Sequence, residues 1–208
     1  MIWKWYQRPV EALKSRWGTG GLRDSGSQLV LSNIENPIRC YGRIGSMLRA
    51  QSFVTDHQIW RLESVSLPLL SKQQCSARFR LSIYNHDAAG DVPGSCVATL
   101  QGERSPRMAG TYVFTGQGVE LKPSTKYWIV AAAGEDGCDS YRWAECGRDY
   151  TSVGPWSLPG IGSAIWAESP AVGVSWESFD DAVYLFAITA SLVGCPVTAP
   201  DVPELASR

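Results

Sequence analysis

Histidine is scarce in this chain: 208 residues contain only His57 and His86. Neither lies in an HxH or HExxH pattern, so a histidine-based metal site lacks ligands. His57, beside Asp56, reads as a turn residue and not as a base. No GxSxG elbow is present, and the GIGSA stretch at 160–164 does not supply one, which removes the usual serine-nucleophile arrangement. Six cysteines occur without a CxxC pair, which argues against a zinc ribbon. No run reaches the ~20 predominantly apolar residues needed to cross a bilayer. The charge-free stretch 182–200 is interrupted by Thr189, Gly194, Pro196 and Pro200 and reads as a buried strand and a turn. An apolar leader segment of ~7–15 residues is missing too, because Lys4, Arg8, Glu11, Lys14 and Arg16 punctuate the start.

What is present is ordinary globular composition, 44% hydrophobic and 19% charged, with nine tryptophans and eight tyrosines. The net charge of −1 hides an asymmetry. Residues 1–50 carry eight Lys/Arg against three Asp/Glu, and residues 51–208 carry eleven against seventeen. A basic segment on an acidic body favours docking of one copy on another, or on an acidic partner. The same acidic body disfavours a nucleic-acid partner, since it repels phosphate.

Strand patterns dominate from Gln51 onward. In 77–84, Ala77, Phe79, Leu81 and Ile83 alternate with Arg78, Arg80 and Ser82, which predicts one face on a core and one in water. In 59–69 the alternation changes phase: Trp60 and Leu62 precede Val65, Leu67 and Leu69. One extra residue near Glu63–Ser64 would restore the register, as a β-bulge does. Stretches 127–133 and 183–189 are apolar on both faces and predict central strands. Shorter partners are expected at 112–114 and 119–121, and a short strand at 27–33 ahead of the main module, which begins near Arg49. Strands at this spacing, joined by Gly/Pro/Asn/Asp turns, indicate an all-β, antiparallel β-sandwich, jelly-roll-like in plan.

Ahead of it lies an arm. Pro9 suits a first helical position and Gly18 a helix end. Trp3, Tyr6, Val10, Leu13 and Trp17 recur at helical spacing and form one apolar stripe. A helix this short needs something to pack on, either its own body or a neighbouring subunit. The expected organisation is a basic arm over 1–48 with a short amphipathic helix and one strand. A sandwich over 49–195 and a proline-containing tail over 196–208 follow.

Several residues invite chemistry. Asn85, Asp87 and Asp91 in the turn YNHDAAGDVPG carry the hard oxygens that suit calcium as a cofactor, and equally the geometry a tight hairpin needs. The acids Glu135, Asp136 and Asp139, and Asp180 with Asp181, sit in Gly/Ser-rich loops, with nothing to place them across a cleft as glycoside hydrolysis requires. Cys138 and Cys146 flank a short aromatic turn and are the candidate disulfide; free thiols are the alternative. Trp156 and Trp166 lie in an aromatic-rich stretch and could stack on sugar rings, or cap the core.

Gln51-Ser52-Phe53, VSLPL at 65–69, SIYNHDAAGDVPGSCVATL at 82–100, GTYVFTG at 110–116, LKPSTKYWIVA at 121–131 and YLFAITA at 184–190 occur in that order. Together they resemble the bacterial choice-of-anchor β-sandwich domains of the type labelled R, over about residues 49–191. The resemblance implies a noncatalytic, carbohydrate-binding-type sandwich of exported surface proteins. This chain departs from it in showing neither leader nor sorting tail. A protein that acts outside cells without an export signal fits a bacteriophage structural component, released by lysis.

The expected function is therefore a noncatalytic virion protein, a capsid decoration, tail or fibre component. It would dock through Trp3, Tyr6, Val10, Leu13 and Trp17 on other virion proteins and on further copies of itself. The alternative is a carbohydrate-binding or adhesion module at the bacterial surface that takes a glycan on Trp156 and Trp166. No membrane and no nucleic acid are expected as partners.

Overall fold

The computed structural model describes residues 26–71, 78–134, 141–160, 162–170 and 175–193. The expected arm helix with its stripe Trp3, Tyr6, Val10, Leu13 and Trp17 lies outside these residues, as does the tail over 196–208. The described residues form β1 (Gln28–Ser32), β2 (Cys40–Ile44), β3 (Met47–Val54), β4 (Trp60–Ser71), β5 (Phe79–Asp87), β6 (Val92–Thr99) and β7 (Gly110–Leu121). They continue with β8 (Lys126–Ala133), β9 (Tyr141–Cys146), β10 (Trp166–Pro170), β11 (Glu177–Phe179), β12 (Val183–Tyr184) and β13 (Ala187–Leu192). One sheet runs β1-β13-β4-β9-β12, with β2 on β9 and β7 on β4; the other runs β11-β10-β3-β8-β5-β6. The strands pair antiparallel and the two sheets pack face to face, which makes the protein a β-sandwich.

The phase change in β4 is a bulge at Glu63. Leu62 pairs with Ala190 and Val119, Ser64 pairs with Thr189 and Thr115, and Glu63 has no register partner on either side. Because strand side chains alternate with period two, one inserted residue moves the next odd-numbered set to the same face as the preceding even-numbered set. Trp60 and Leu62 before the bulge, and Val65, Leu67 and Leu69 after it, therefore all point into the core. Opposite the bulge, residues 116–118 loop out of β7, so the two partners expected at 112–114 and 119–121 are one interrupted strand. Gly116 is required there: a Cβ would stand 2.9 Å from the Leu62 carbonyl oxygen.

β5 places Phe79, Leu81 and Ile83 on the core as the alternation predicts. Ser82 differs from expectation. It is buried on the outer face, where its hydroxyl shares a 3.2 Å hydrogen bond with Thr99 of β6. β8 is central and covered on both sides. Tyr127, Ile129, Ala131 and Ala133 face the main core, while Trp128 and Val130 join Ala50, Ala164 and Ala167 in a smaller cluster. Each large side chain fully buried in this way contributes about 1.5–3 kcal/mol.

Two expectations are corrected. β1 and β2, assigned to the arm from sequence, are members of the larger sheet: β1 pairs with β13, β2 pairs with β9, and Val30, Leu31 and Ile44 are fully buried. The sandwich therefore takes in Gln28 and does not begin near Arg49. The stretch 183–189 is not one strand, because the chain kinks at Leu185–Phe186 and passes from β9 to β4.

Buried amides satisfy the backbone at that kink. Asn33 donates to Tyr184 O at 2.9 Å and accepts from Phe186 N at 2.7 Å. Gln51 accepts from Tyr184 N at 2.7 Å and donates to Ile165 O at 2.9 Å, which ties the two sheets together. An unsatisfied buried peptide group costs about 1–3 kcal/mol, so these two side chains hold the crossing together.

Deleting Glu63 should shift Trp60 and Leu62 to the solvent face and abolish the cooperative unfolding transition. Glu63→Ala, which keeps the residue count, should fold with a loss within about 1 kcal/mol. Circular dichroism melts of the two variants check this; a deletion variant that melts like the parent would refute the role of the bulge.

Candidate functional site

Three places on the sandwich gather polar or aromatic groups. The first is the aromatic stretch. Trp156 is 3% exposed, lies parallel to Phe53 at 5.5 Å and meets Trp60 edge-on at 6.0 Å. The sugar-platform expectation is thereby corrected for Trp156: its ring closes the core between the sheets and has no free face. Trp166 is partly buried, stacked on Phe179 at 4.2 Å, with the Arg49 guanidinium 5.4 Å from its centroid. Its indole N–H donates to Asp181 Oδ1 at 2.8 Å. Arg49 in turn pairs with Glu168 on the neighbouring strand β10. Trp166 is thus engaged by protein groups, and the two rings do not form one platform.

The second place is the β5–β6 hairpin. Asn85 Oδ1 accepts from Ser95 N at 2.6 Å, Asp87 Oδ1 from Ala89 N at 3.0 Å, and Asp91 Oδ2 from Ala164 N at 2.6 Å. Each oxygen accepts from a different backbone N–H, so the trio builds the turn and the loop beside it. Among the described residues, no group of three His, Cys, Asp or Glu side chains is arranged to hold a metal ion.

Asp91 instead anchors a brace. It sits at φ 51°, the left-handed conformation that Asp tolerates in turns. Its carboxylate pairs with Lys126, whose ammonium also donates to Ala164 O at 2.8 Å and Ser163 Oγ at 3.2 Å and lies 5.0 Å above Trp128. Trp128 donates its indole N–H to His86 Nδ1 at 3.3 Å, and His86 Nε2 lies 3.6 Å from Asp91. Burial lowers the pKa of His86, with Lys126 adding to the effect, so the ring is held neutral. Burial alone would raise that of Asp91, but the Ala164 N–H and the Lys126 ammonium outweigh it and hold the carboxyl below its ordinary value.

The third place was not singled out from sequence. A cleft of about 400 Å³ includes Arg78, Arg80 and Arg104 in its lining; its apolar neighbours Phe79, Leu81, Leu100 and Phe114 are buried in the main core, on the face of β5 opposite Arg80. By the alternation of 77–84, Arg78 and Arg80 belong to the solvent face. Arg104 is brought to them because Phe79 N donates to Arg104 O at 2.7 Å.

Among the remaining candidates, Asp180 pairs with Arg148 at 2.8 Å, away from Asp181 on Trp166. Glu135, Asp136, Asp139 and Cys138 lie outside the described residues. Cys146 is a buried free thiol whose sulfur lies 3.5 Å from Val183 O; burial pushes its pKa up to about 11, which leaves it unreactive at neutral pH. No protein-family model matches the chain, and no curated protein matches it significantly.

Two outcomes follow from these positions. Trp156→Ala should cost about 3–5 kcal/mol of stability by opening a core cavity, as read from denaturant midpoints; a change below about 1 kcal/mol would show that the ring is not a core element. His86 binds protons less readily in the folded chain than at its ordinary value of 6.5. Its contribution to stability is therefore fully present above that value and declines as pH falls below it. Stability measured from pH 7.5 to 5.5 should fall more steeply for the parent than for His86→Gln, whose amide oxygen can still accept from Trp128.

Proposed function

We propose that this chain is a structural subunit of a bacteriophage particle, a capsid-decorating, tail or fibre component, whose jelly-roll-like sandwich projects outward while its basic N-terminal segment docks on neighbours. The observation that carries this is the separation of charge from fold. The described strands that build both sheets lie within residues 28–192. Residues 1–27 hold five Lys/Arg against two Asp/Glu and carry the apolar stripe Trp3, Tyr6, Val10, Leu13 and Trp17. A segment of this kind is suited to insertion on a neighbouring surface, with charge for approach and aromatics for anchorage. Its partners are further copies of the chain, whose bodies carry the complementary negative charge, and other proteins of the particle.

The resemblance to choice-of-anchor R domains supports a noncatalytic sandwich that works outside the host cell. The brace of Lys126, Asp91, His86 and Trp128 supports a scaffold role as well, since these groups spend their bonding on one another. A second reading, a bacterial-surface module that binds carbohydrate, loses its tryptophan platform, because Trp156 is buried and Trp166 is stacked on Phe179.

Removing residues 1–25 should leave a cooperatively melting sandwich that sediments as a monomer, while the full-length chain forms larger species that dissociate as salt rises. Analytical ultracentrifugation of both forms, with melting curves as the folding control, decides the matter. A truncated chain that assembles like the parent would overturn the docking mechanism.

A further inference from the structure

We propose that His86 makes the attachment of Ser163 and Ala164 to the sandwich acid-sensitive: a proton on its ring loosens the hold of Asp91 and Lys126 on these two residues and uncovers Trp128 and the small side chains around it. The device belongs to the sandwich body and works however the chain docks.

The first observation is how few bonds fasten this turn. Upstream, Ser157 and Val54 exchange backbone hydrogen bonds at 2.8 and 3.0 Å; downstream, Ile165 O accepts from Ser52 N and Ile165 N donates to Phe179 O, both at 2.9 Å. Between these anchors, among the described residues, three side chains supply the hydrogen bonds to the rest of the molecule. Asp91 Oδ2 accepts from Ala164 N at 2.6 Å and from Ser163 Oγ at 3.4 Å. Lys126 Nζ donates to Ala164 O at 2.8 Å and to Ser163 Oγ at 3.2 Å, and Ser52 Oγ donates to Ala164 O at 3.0 Å. The bond from Ser163 N to Gly160 O, at 3.2 Å, is internal to the turn. Gly162, at φ 87°, gives it a pivot.

The second is the place of the imidazole. Its Nδ1 accepts from the Trp128 indole at 3.3 Å, and its Nε2 lies 3.6 Å from Asp91 Oδ1, the oxygen that Lys126 already holds. A neutral ring suits both sides. In a charged ring Nδ1 carries a hydrogen that meets the Trp128 N–H donor to donor, and two cations share one carboxylate. The charged groups facing the ring are Lys126 from β8 and Asp87 and Asp91 from the hairpin; Glu120 and Lys122 line the cleft beside it. The two aspartates favour the proton, but burial and Lys126 outweigh them, so the ring takes it only below the ordinary value of 6.5. Asp91 is held below its own ordinary value and keeps its charge meanwhile. Once the turn is released and Lys126 reaches water, the ring recovers its ordinary affinity. The proton therefore binds the released arrangement more tightly, and acid shifts the population toward it.

The third is what the turn covers. Ala164 packs with Ala50, Trp128, Val130 and Ala167 in the smaller apolar cluster. Ala167, Ala50 and Val130 stand in register across β10, β3 and β8, with Trp128 two residues along from Val130. Lifting Ala164 opens a row of small side chains and an indole to solvent.

The test is hydrogen–deuterium exchange of the full-length chain from pH 7.5 to 5.5, read by mass spectrometry, with each rate divided by that of the unfolded chain. Protection of fragment 158–165 should fall severalfold, and by no more than about tenfold per pH unit because one proton is linked. Fragment 127–133 should keep its protection. His86→Gln, which accepts from Trp128 but takes no proton, should stay closed, and His57→Gln should respond like the parent. Asp91→Gly, which tolerates the φ of 51°, should exchange fast in 158–165 already at pH 7.5, and decides the matter should the His86 variant not fold. An equal acid response in the parent and His86→Gln would overturn the proposal. So would a closed turn in Asp91→Gly, or loss of protection in 127–133 together with 158–165, which would mean global unfolding.

Discussion

β4 has to serve three neighbours while keeping an apolar residue on the core at both ends, and the extra residue at Glu63 is what reconciles those demands. Along one edge it carries β7; along the other it carries β13 and then, from Leu69 on, β9. Without the bulge, a strand with Trp60 and Leu62 inward would turn Val65, Leu67 and Leu69 outward, and the larger sheet would lose the middle of its inner face. The same insertion sharpens the local twist. It coincides with the step from Thr189 to Ala190 in β13 and with the looped residues 116–118 in β7, so three strands accommodate one irregularity together. The packing of Phe79 against Phe114 and Tyr141, at 5.3 Å in both cases, joins the sheets on the far side of it.

Much of this was legible because it depends on residues close in sequence. The phase change at Glu63, the inward set of Phe79, Leu81 and Ile83, and the two-sided burial of 127–133 follow from local periodicity alone. What periodicity cannot reveal is which distant segment completes a sheet. β1 looks like part of an arm because its partner β13 lies near the other end of the chain, and Asn33 and Gln51 look like ordinary polar residues. Only the fold shows that Asn33 satisfies Tyr184 and Phe186, 151 and 153 residues away, and that Gln51 is fully buried between the sheets. An amide in such a place substitutes for a strand partner where the chain leaves one neighbour for another.

The candidate sites divide along the same line. By sequence the hairpin residues Asn85, Asp87 and Asp91 suit either cation ligands or turn formers, since the two chemistries draw on the same residue types. The choice between them depends on where Lys126 and Ala164 arrive, from other strands and loops. For tryptophan the ambiguity is larger. A ring in a Gly/Pro-rich stretch can face outward or fill a core, and composition is the same in both cases; contact with Phe53 and Trp60 decides it for Trp156. The arginine cleft lay beyond sequence reasoning because Arg104 stands outside any strand pattern and reaches β5 through a single backbone bond.

Charge is divided along the sequence and not along the edge of the fold. Residues 1–50 carry eight Lys/Arg against three Asp/Glu, and residues 51–208 carry eleven against seventeen. The boundary does not coincide with the start of the sandwich, because β1 and β2 belong to the larger sheet. Screening over a Debye length of about 8–10 Å confines attraction between oppositely charged surfaces to close approach. Complementary charge of this kind therefore speeds and orients an encounter, while packing has to supply the rest of its free energy.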